Sequence, residues 1–324
     1  FCLGGCSGSS PQPVSRTVTV FDTVVTITVY DKDSEDVLDA CVAKCEDYNA
    51  RFSRTSEGSE IYELNHANGE PVTLSGDTVD LIQKGVEYSR LADGKFDITI
   101  APLSDLWDFK NNTGTVPDDA AIQQAKSHIG YENVRVDGNT VQLLDPEAAI
   151  DLGGIAKGYT SQRIAKVYKE DGVKSGVISL GGNVQAIGTK TDGSRWKVGV
   201  QSPDDTESMI GAYEAADEAV ITSGAYERYF EKDGKTYHHI IDPATGKPSE
   251  KDLKSVTIIS KNGTLSDTLS TTLFVMGKDK AISYWQEHSK EFNMILVDEN
   301  NKVYISQGIK DHFSSDSDFT VIKK

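Results

Sequence analysis

The chain of 324 residues has no run near the ~20 consecutive apolar residues that a membrane-spanning helix requires. Aromatics make up only 8%, and positive charge is short, with 33 Lys and Arg against 50 Asp and Glu. The formal charge of −17 gives a field that repels nucleic acid and anionic membrane surfaces, so a nucleic-acid partner is excluded. An anionic nucleotide would need local compensation from a metal ion, a lysine or backbone N–H groups. Cysteine is scarce as well, at four residues. Cys41 and Cys45 stand i,i+4 in a helix-patterned stretch, where their side-chain vectors suit a disulfide poorly. Lacking a nearby His or further Cys in sequence, they read as small core residues rather than zinc ligands.

What is present begins with an apolar content of 37%, enough for one sizeable core. Cys6 follows a leucine and two glycines and precedes a polar Ser/Gly/Pro tether. That pattern resembles a bacterial lipobox and predicts lipidation of Cys6, with export to the extracytoplasmic face of the cell membrane. On this reading 1–14 form the lipobox remnant and tether, and 15–324 form a single domain.

The stretch 15–30 alternates through Val18, Val20, Val24, Ile27 and Val29, which predicts one or two strands bent near Phe21-Asp22. Helices are predicted over 34–51, 75–91, 118–128, from the glycine-rich 150–160 through about 169, over 266–276 and over 278–288. In 75–91 the apolar stripe is Val79, Ile82, Val86 and Leu91. A hairpin is expected around Asp137-Gly138. Strands are predicted at 176–180, 197–201, 219–222, 236–241, 256–259, 294–297 and 302–306. Hairpins mixed with helix pairs, without regular βαβ alternation, indicate an α+β fold with antiparallel sheet.

Four segments can carry chemistry. In Asp151-Leu-Gly-Gly-Ile-Ala-Lys157, two glycines directly after an expected strand and before a helix allow close backbone approach. The helix N-terminus and Lys157 suit an anion, although neither a G-x-G-x-x-G nor a Walker A pattern is present. Gly181-Gly182-Asn183 reads as a hairpin turn that could equally bring bare backbone against a ligand. His238 and His239 are neighbours on an expected strand, so only one can face a site. Asp267 and Thr271 are i,i+4 on one helix face, a hard-oxygen pair suited to Mg²⁺. The plainer account of Asp267 is helix capping, with Ser266 as N-cap.

Taken in order, six segments resemble the ApbE family of FAD:protein FMN transferases: FDITIAPL at 96–103, DLGGIAKGYT at 151–160, SLGGN at 179–183, ITSGAYERYF at 221–230, HHIIDPATGKP at 238–248 and SDTLSTTLFVMG at 266–277. The resemblance implies a T-fold-like α+β architecture. It implies Mg²⁺ held by Asp267, Thr271 and the Gly154 carbonyl, and FAD contacts at Asp151, Lys157, Asp97, Ile98, Thr99 and Ile241. His239 matches the family's general base. Phe21-Asp22-Thr23 stands where relatives often carry Met-Gly-Thr, and Phe21 is placed to stack on the flavin ring. The implied activity is Mg-dependent transfer of the FMN half of FAD to a Thr or Ser hydroxyl of an acceptor protein, releasing AMP. The same metal site would also serve an FAD pyrophosphatase, and a lipoprotein that only binds FAD is the non-catalytic alternative.

Overall fold

The computed structural model describes residues 12–112 and 114–324. Cys2 and Cys6, and with them the lipobox expectation, lie outside these residues. Eight α-helices occur among the described residues: α1 Glu35–Phe52, α2 Glu60–Asn65, α3 Gly76–Leu91, α4 Ala101–Trp107, α5 Asp119–Lys126, α6 Ala156–Glu170, α7 Gly263–Met276 and α8 Lys278–His288.

A nine-stranded sheet forms the centre, in the order Val14–Val20, Thr23–Val29, Ser175–Leu180, Asn183–Gly188, Ala219–Gly224, Leu253–Ser260, Asn293–Asp298, Val303–Ser306, Phe319–Ile322. All neighbours are antiparallel except the last pair, which is parallel. Period-2 alternation sends successive side chains to opposite faces. Val220, Ile259, Ile295 and Val297 pack under a three-stranded sheet that contributes Trp196, Val198 and Tyr213. On the other face Val25, Ile27 and Ile178 meet Leu38, Cys41 and Cys45 of α1 and Ile164 of α6. Val256, Ile258 and Leu296 meet α7 and α8 through Leu273, Phe274 and Trp285. The mixed helices and antiparallel sheets are the expected α+β fold, and the buried, unbridged Cys41 and Cys45 are core.

A second cluster joins the end of α1 to α2, α3 and the glycine-rich segment, through Tyr48, Phe52, Leu81, Ile98, Leu152 and Tyr159. It holds the start of α6 against the central layer.

Several local expectations shift. The 15–30 stretch is two strands turning at Phe21-Asp22, as expected, but the Asp137-Gly138 turn falls one residue later, because Asp137 pairs with Thr140. Leu91 is 55% exposed and leaves the α3 stripe, being the helix's last residue. No strand precedes the glycine-rich motif; an isolated bridge between Ile100 and Ala149 stands there. The 236–241 strand breaks after His238, and α7 starts at Gly263. Its N-cap is Asn262, whose side chain accepts the Leu265 N–H, so Ser266 is no cap.

Candidate active site

The site is built on the crossing of α6 and α7. A Cβ on Gly158 would fall 2.3 Å from the Gly263 carbonyl oxygen and 2.5 Å from the Asp267 Cβ. Only glycine allows this backbone-to-backbone approach. It sets Asp267 at the opening turn of α6, where its Oδ2 accepts the Gly158 N–H at 2.7 Å. Asn183, just past the Gly181-Gly182 turn, donates to Oδ1 at 3.3 Å. Asp267 is 5% exposed, and burial pushes its carboxyl pKa up, opposed by Lys157 and by these hydrogen bonds. A carboxylate lodged in another helix's first turn is not a cap of its own helix, so the capping account of Asp267 fails.

The Ser/Thr-rich stretch of α7 sorts itself by hydrogen bonding. Thr268 and Thr272 donate to carbonyls one turn back, at 2.9 and 2.8 Å, and Ser270 donates to the Asp267 carbonyl at 2.8 Å. Thr271 has no such bond; its Oγ1 lies 3.3 Å from Ser223 Oγ. A Cβ on Gly154 would lie 3.8 Å from Thr271 Oγ1 and 2.9 Å from the Phe96 ring, so the bare Gly154 backbone borders the hydroxyl. The Asp267 carboxylate, the Thr271 hydroxyl and the Gly154 backbone thus form a hard-oxygen corner. Among the described residues no three His, Cys, Asp or Glu gather as a metal site. The corner instead fits Mg²⁺, which takes few protein ligands and completes its shell from phosphate and water.

His239 lies in the bend after the Lys235–His238 strand, half-buried. Its N–H donates to the Arg228 carbonyl at 3.0 Å, and its Nδ1 lies 3.3 Å from the same oxygen. Desolvation, helped by the charges of Arg228 and Lys157, lowers its pKa to about 4, so the ring is neutral at pH 7. His238 is structural: buried, edge-on to Phe274, with Nε2 2.9 Å from the Ser249 carbonyl. Glu227 is exposed, yet surrounding protein and the Asp267 charge push its carboxyl up while Lys157 draws it down. Lys157, Glu227, Arg228, His239 and Asp267 lie close enough for their charges to act on one another, and so form one cluster.

The remaining expected residues hold this wall together. Asp97 Oδ1 accepts the Thr99 N–H and hydroxyl at 2.8 and 2.7 Å, and Oδ2 accepts the Tyr131 N–H at 3.0 Å. Burial raises the Asp97 pKa against those bonds. The Ile98 side chain is wholly buried, packs in the cluster with Leu152 and would touch any Cβ on Gly85 of α3, while its carbonyl accepts the Asp151 N–H at 2.8 Å. Ile241 is likewise in the core, with Leu103, Trp107 and Ile122. For these two isoleucines the side chain is unavailable to a ligand. Asp151 accepts from Gly153 N–H at 2.8 Å and from Arg54 Nε at 3.0 Å. Phe21 is half-buried between two core clusters at the first hairpin turn.

Arg54, Glu227 and Arg228 were not singled out from sequence. Arg54 sits in a polar loop with no periodicity to mark it, whereas Glu227 and Arg228 lie inside the quoted ITSGAYERYF segment. A cavity of about 510 Å³ opens away from the cluster, between α3 and α6. Four of its five cations, Lys84, Arg163, Lys166 and Lys169, pair with Asp80, Asp77, Glu170 and Asp217, while Lys261 makes no ion pair among the described residues.

Known proteins resemble this chain in sequence and in fold. An FAD:protein FMN transferase of Klebsiella pneumoniae is 36% identical over 269 residues, covering 82% of this chain and 83% of its own. One from Vibrio cholerae is 32% identical over 274 residues, covering 83% and 82%. The solved ApbE protein of Thermotoga maritima superimposes with a TM-score of 0.86 at 34% identity, over 93% of this chain and 99% of its own. The flavin transferase ApbE of Vibrio cholerae gives 0.84 at 27%, over 93% and 99%. The model of the ApbE family matches residues 21–296, and the chain belongs to that family.

Proposed function

We propose that this protein is an Mg-dependent FAD:protein FMN transferase that moves the FMN half of FAD onto a Thr or Ser hydroxyl and releases AMP. The observation that carries the reading is the corner of Asp267, Thr271 and Gly154 at the opening of α6, with Lys157 in the same turn. It answers the charge problem of a −17 chain, since the pyrophosphate would meet its compensation locally. Bound Mg²⁺ supplies Lewis-acid neutralisation of the phosphoryl oxygens.

The chain's own residues do the rest. Lys157 and the positive end of α6 orient the pyrophosphate. With the proton on Nδ1, facing the Arg228 carbonyl, His239 keeps Nε2 as the acceptor for the hydroxyl proton. The acceptor oxygen bonds to the phosphorus on the FMN side and the bond to AMP breaks. Asp97, Thr99 and Asp151 fix the loops that border the flavin nucleotide. Export and anchoring through a lipid on Cys6 belong to the same proposal and rest on the lipobox resemblance.

The test is AMP release and flavin fluorescence on an acceptor band, followed as Mg²⁺ is titrated into the wild type, D267N and T271V. Loss of both signals in D267N, with a raised Mg²⁺ requirement in T271V, supports the corner. Wild-type Mg²⁺ dependence in D267N refutes it.

A further inference from the structure

The first hairpin turn, at the edge of the central sheet, reaches the Arg228 side chain. Phe21 and Asp22 both occupy the left-handed region, at φ 54° and 55°, in a two-residue turn where glycine and asparagine are the unstrained choices. Aspartate tolerates this region, whereas a phenylalanine held there needs compensation. Phe21 receives it through its ring, packed into two core clusters, and its N–H, which donates to Asn49 Oδ1 at 2.8 Å. Asp22 has no such burial. Its Oδ2 lies 3.0 Å from Lys110 Nζ and 4.0 Å from Arg228 Nη2. The backbone carbonyl of Arg228 is the oxygen that holds His239, through its N–H and beside its Nδ1.

We propose that Asp22 is a positioning residue for His239, acting through Arg228 and tying the turn, the Lys110 segment and the Arg228 segment together. The inference rests on the transferase reading above. The side chains of Asp22, Lys110 and Arg228 are 57%, 66% and 50% exposed, and ion pairs so exposed contribute little stability. A strained turn kept for a pair of little stabilising value is explained by where that pair places Arg228. His239 needs its ring held at one angle for Nε2 to meet the hydroxyl, and general-base catalysis is sensitive to such placement.

Asp22→Asn removes the charge and keeps a residue that accepts the left-handed turn, so folding is preserved. Transfer kinetics are compared for the wild type, D22N, R228M and the double variant, alongside thermal unfolding. The expected result is a fall in kcat of about fivefold in D22N, equivalent to about 1 kcal/mol. KM for FAD and the unfolding midpoint stay at wild-type values, and D22N adds nothing in the R228M background. A wild-type kcat in D22N overturns the proposal, as does a D22N effect that persists undiminished without the Arg228 side chain. Failure of the wild type itself to flavinylate would instead overturn the transferase reading.

Discussion

Replacing Gly158 by alanine tests whether the α6–α7 contact is what makes the site. The added Cβ would stand 2.5 Å from the Asp267 Cβ and 2.3 Å from the Gly263 carbonyl oxygen. Carbon atoms rest comfortably ~3.5–4.0 Å apart, so α7 must retreat by about 1 Å. The obstructing atoms are backbone and a Cβ, which cannot swing aside as a side-chain tip would. Overpacking of this kind costs about 1–3 kcal/mol. Because the retreat carries Asp267 away from the Gly158 N–H and from Gly154, a misplacement of about 1 Å should lower turnover ~100-fold. Urea unfolding measures the first effect, as a lower midpoint with unchanged slope. Flavin transfer at saturating FAD measures the second, and raised Mg²⁺ should recover part of it. Wild-type turnover in a stably folded G158A would refute the claim that this crossing places the metal-binding carboxylate.

Other outcomes follow from the same geometry. His239→Ala should slow transfer by ~10²–10⁴-fold while FAD binding, read by flavin fluorescence, persists. The His239 pKa lies near 4 in the fold against an ordinary value of 6.5, so the unfolded chain takes up its proton first. Its contribution to stability is therefore complete above pH 6.5 and is lost as pH falls towards 4; H239N should lose less stability over that window in pH-dependent melting curves. The same depression predicts that kcat/KM shows no histidine limb near pH 6.5. Asn183→Ala should weaken Mg²⁺ binding several-fold, seen by calorimetry with FAD present, because Asp267 loses its side-chain donor. Cys6→Ser in the full-length protein should move it from the membrane fraction to the soluble fraction, followed by immunoblot.

Much of this was readable in the residues because the local signals agreed with the tertiary structure. Val18, Val20, Ile27 and Val29 face one side of a hairpin, and only Val24, 56% exposed, turns to the other. Gly181 and Gly182 read as a turn and take φ 54° and 91°. The helix expected over 266–276 forms despite its Ser/Thr run, and the structure shows why it is tolerated: three hydroxyls bond back to the helix, leaving Thr271 for the site. What stayed hidden was set by contacts distant in sequence. Asn262 rather than Ser266 caps α7, since the helix begins where Gly263 can touch Gly158. The strands Met209–Ala215 and Phe319–Ile322 have mixed patterns that settle only through pairing with Trp196–Gln201 and Val303–Ser306. Ile98 and Ile241 sit inside motif segments, yet their side chains serve the core. A motif marks a stretch of chain; which face of it meets the ligand is decided by packing.

The central claim, that the FMN half of FAD is moved to a protein hydroxyl, is tested most directly by intact mass. The protein is incubated with FAD, Mg²⁺ and a candidate acceptor bearing exposed threonine and serine, and the acceptor is weighed before and after. The account predicts a gain of one FMN unit, localised to a Thr or Ser, with AMP released in equal amount and both abolished by chelator. FAD recovered intact with no mass gain on any acceptor, or FMN and AMP released free with the acceptor unchanged, would contradict it.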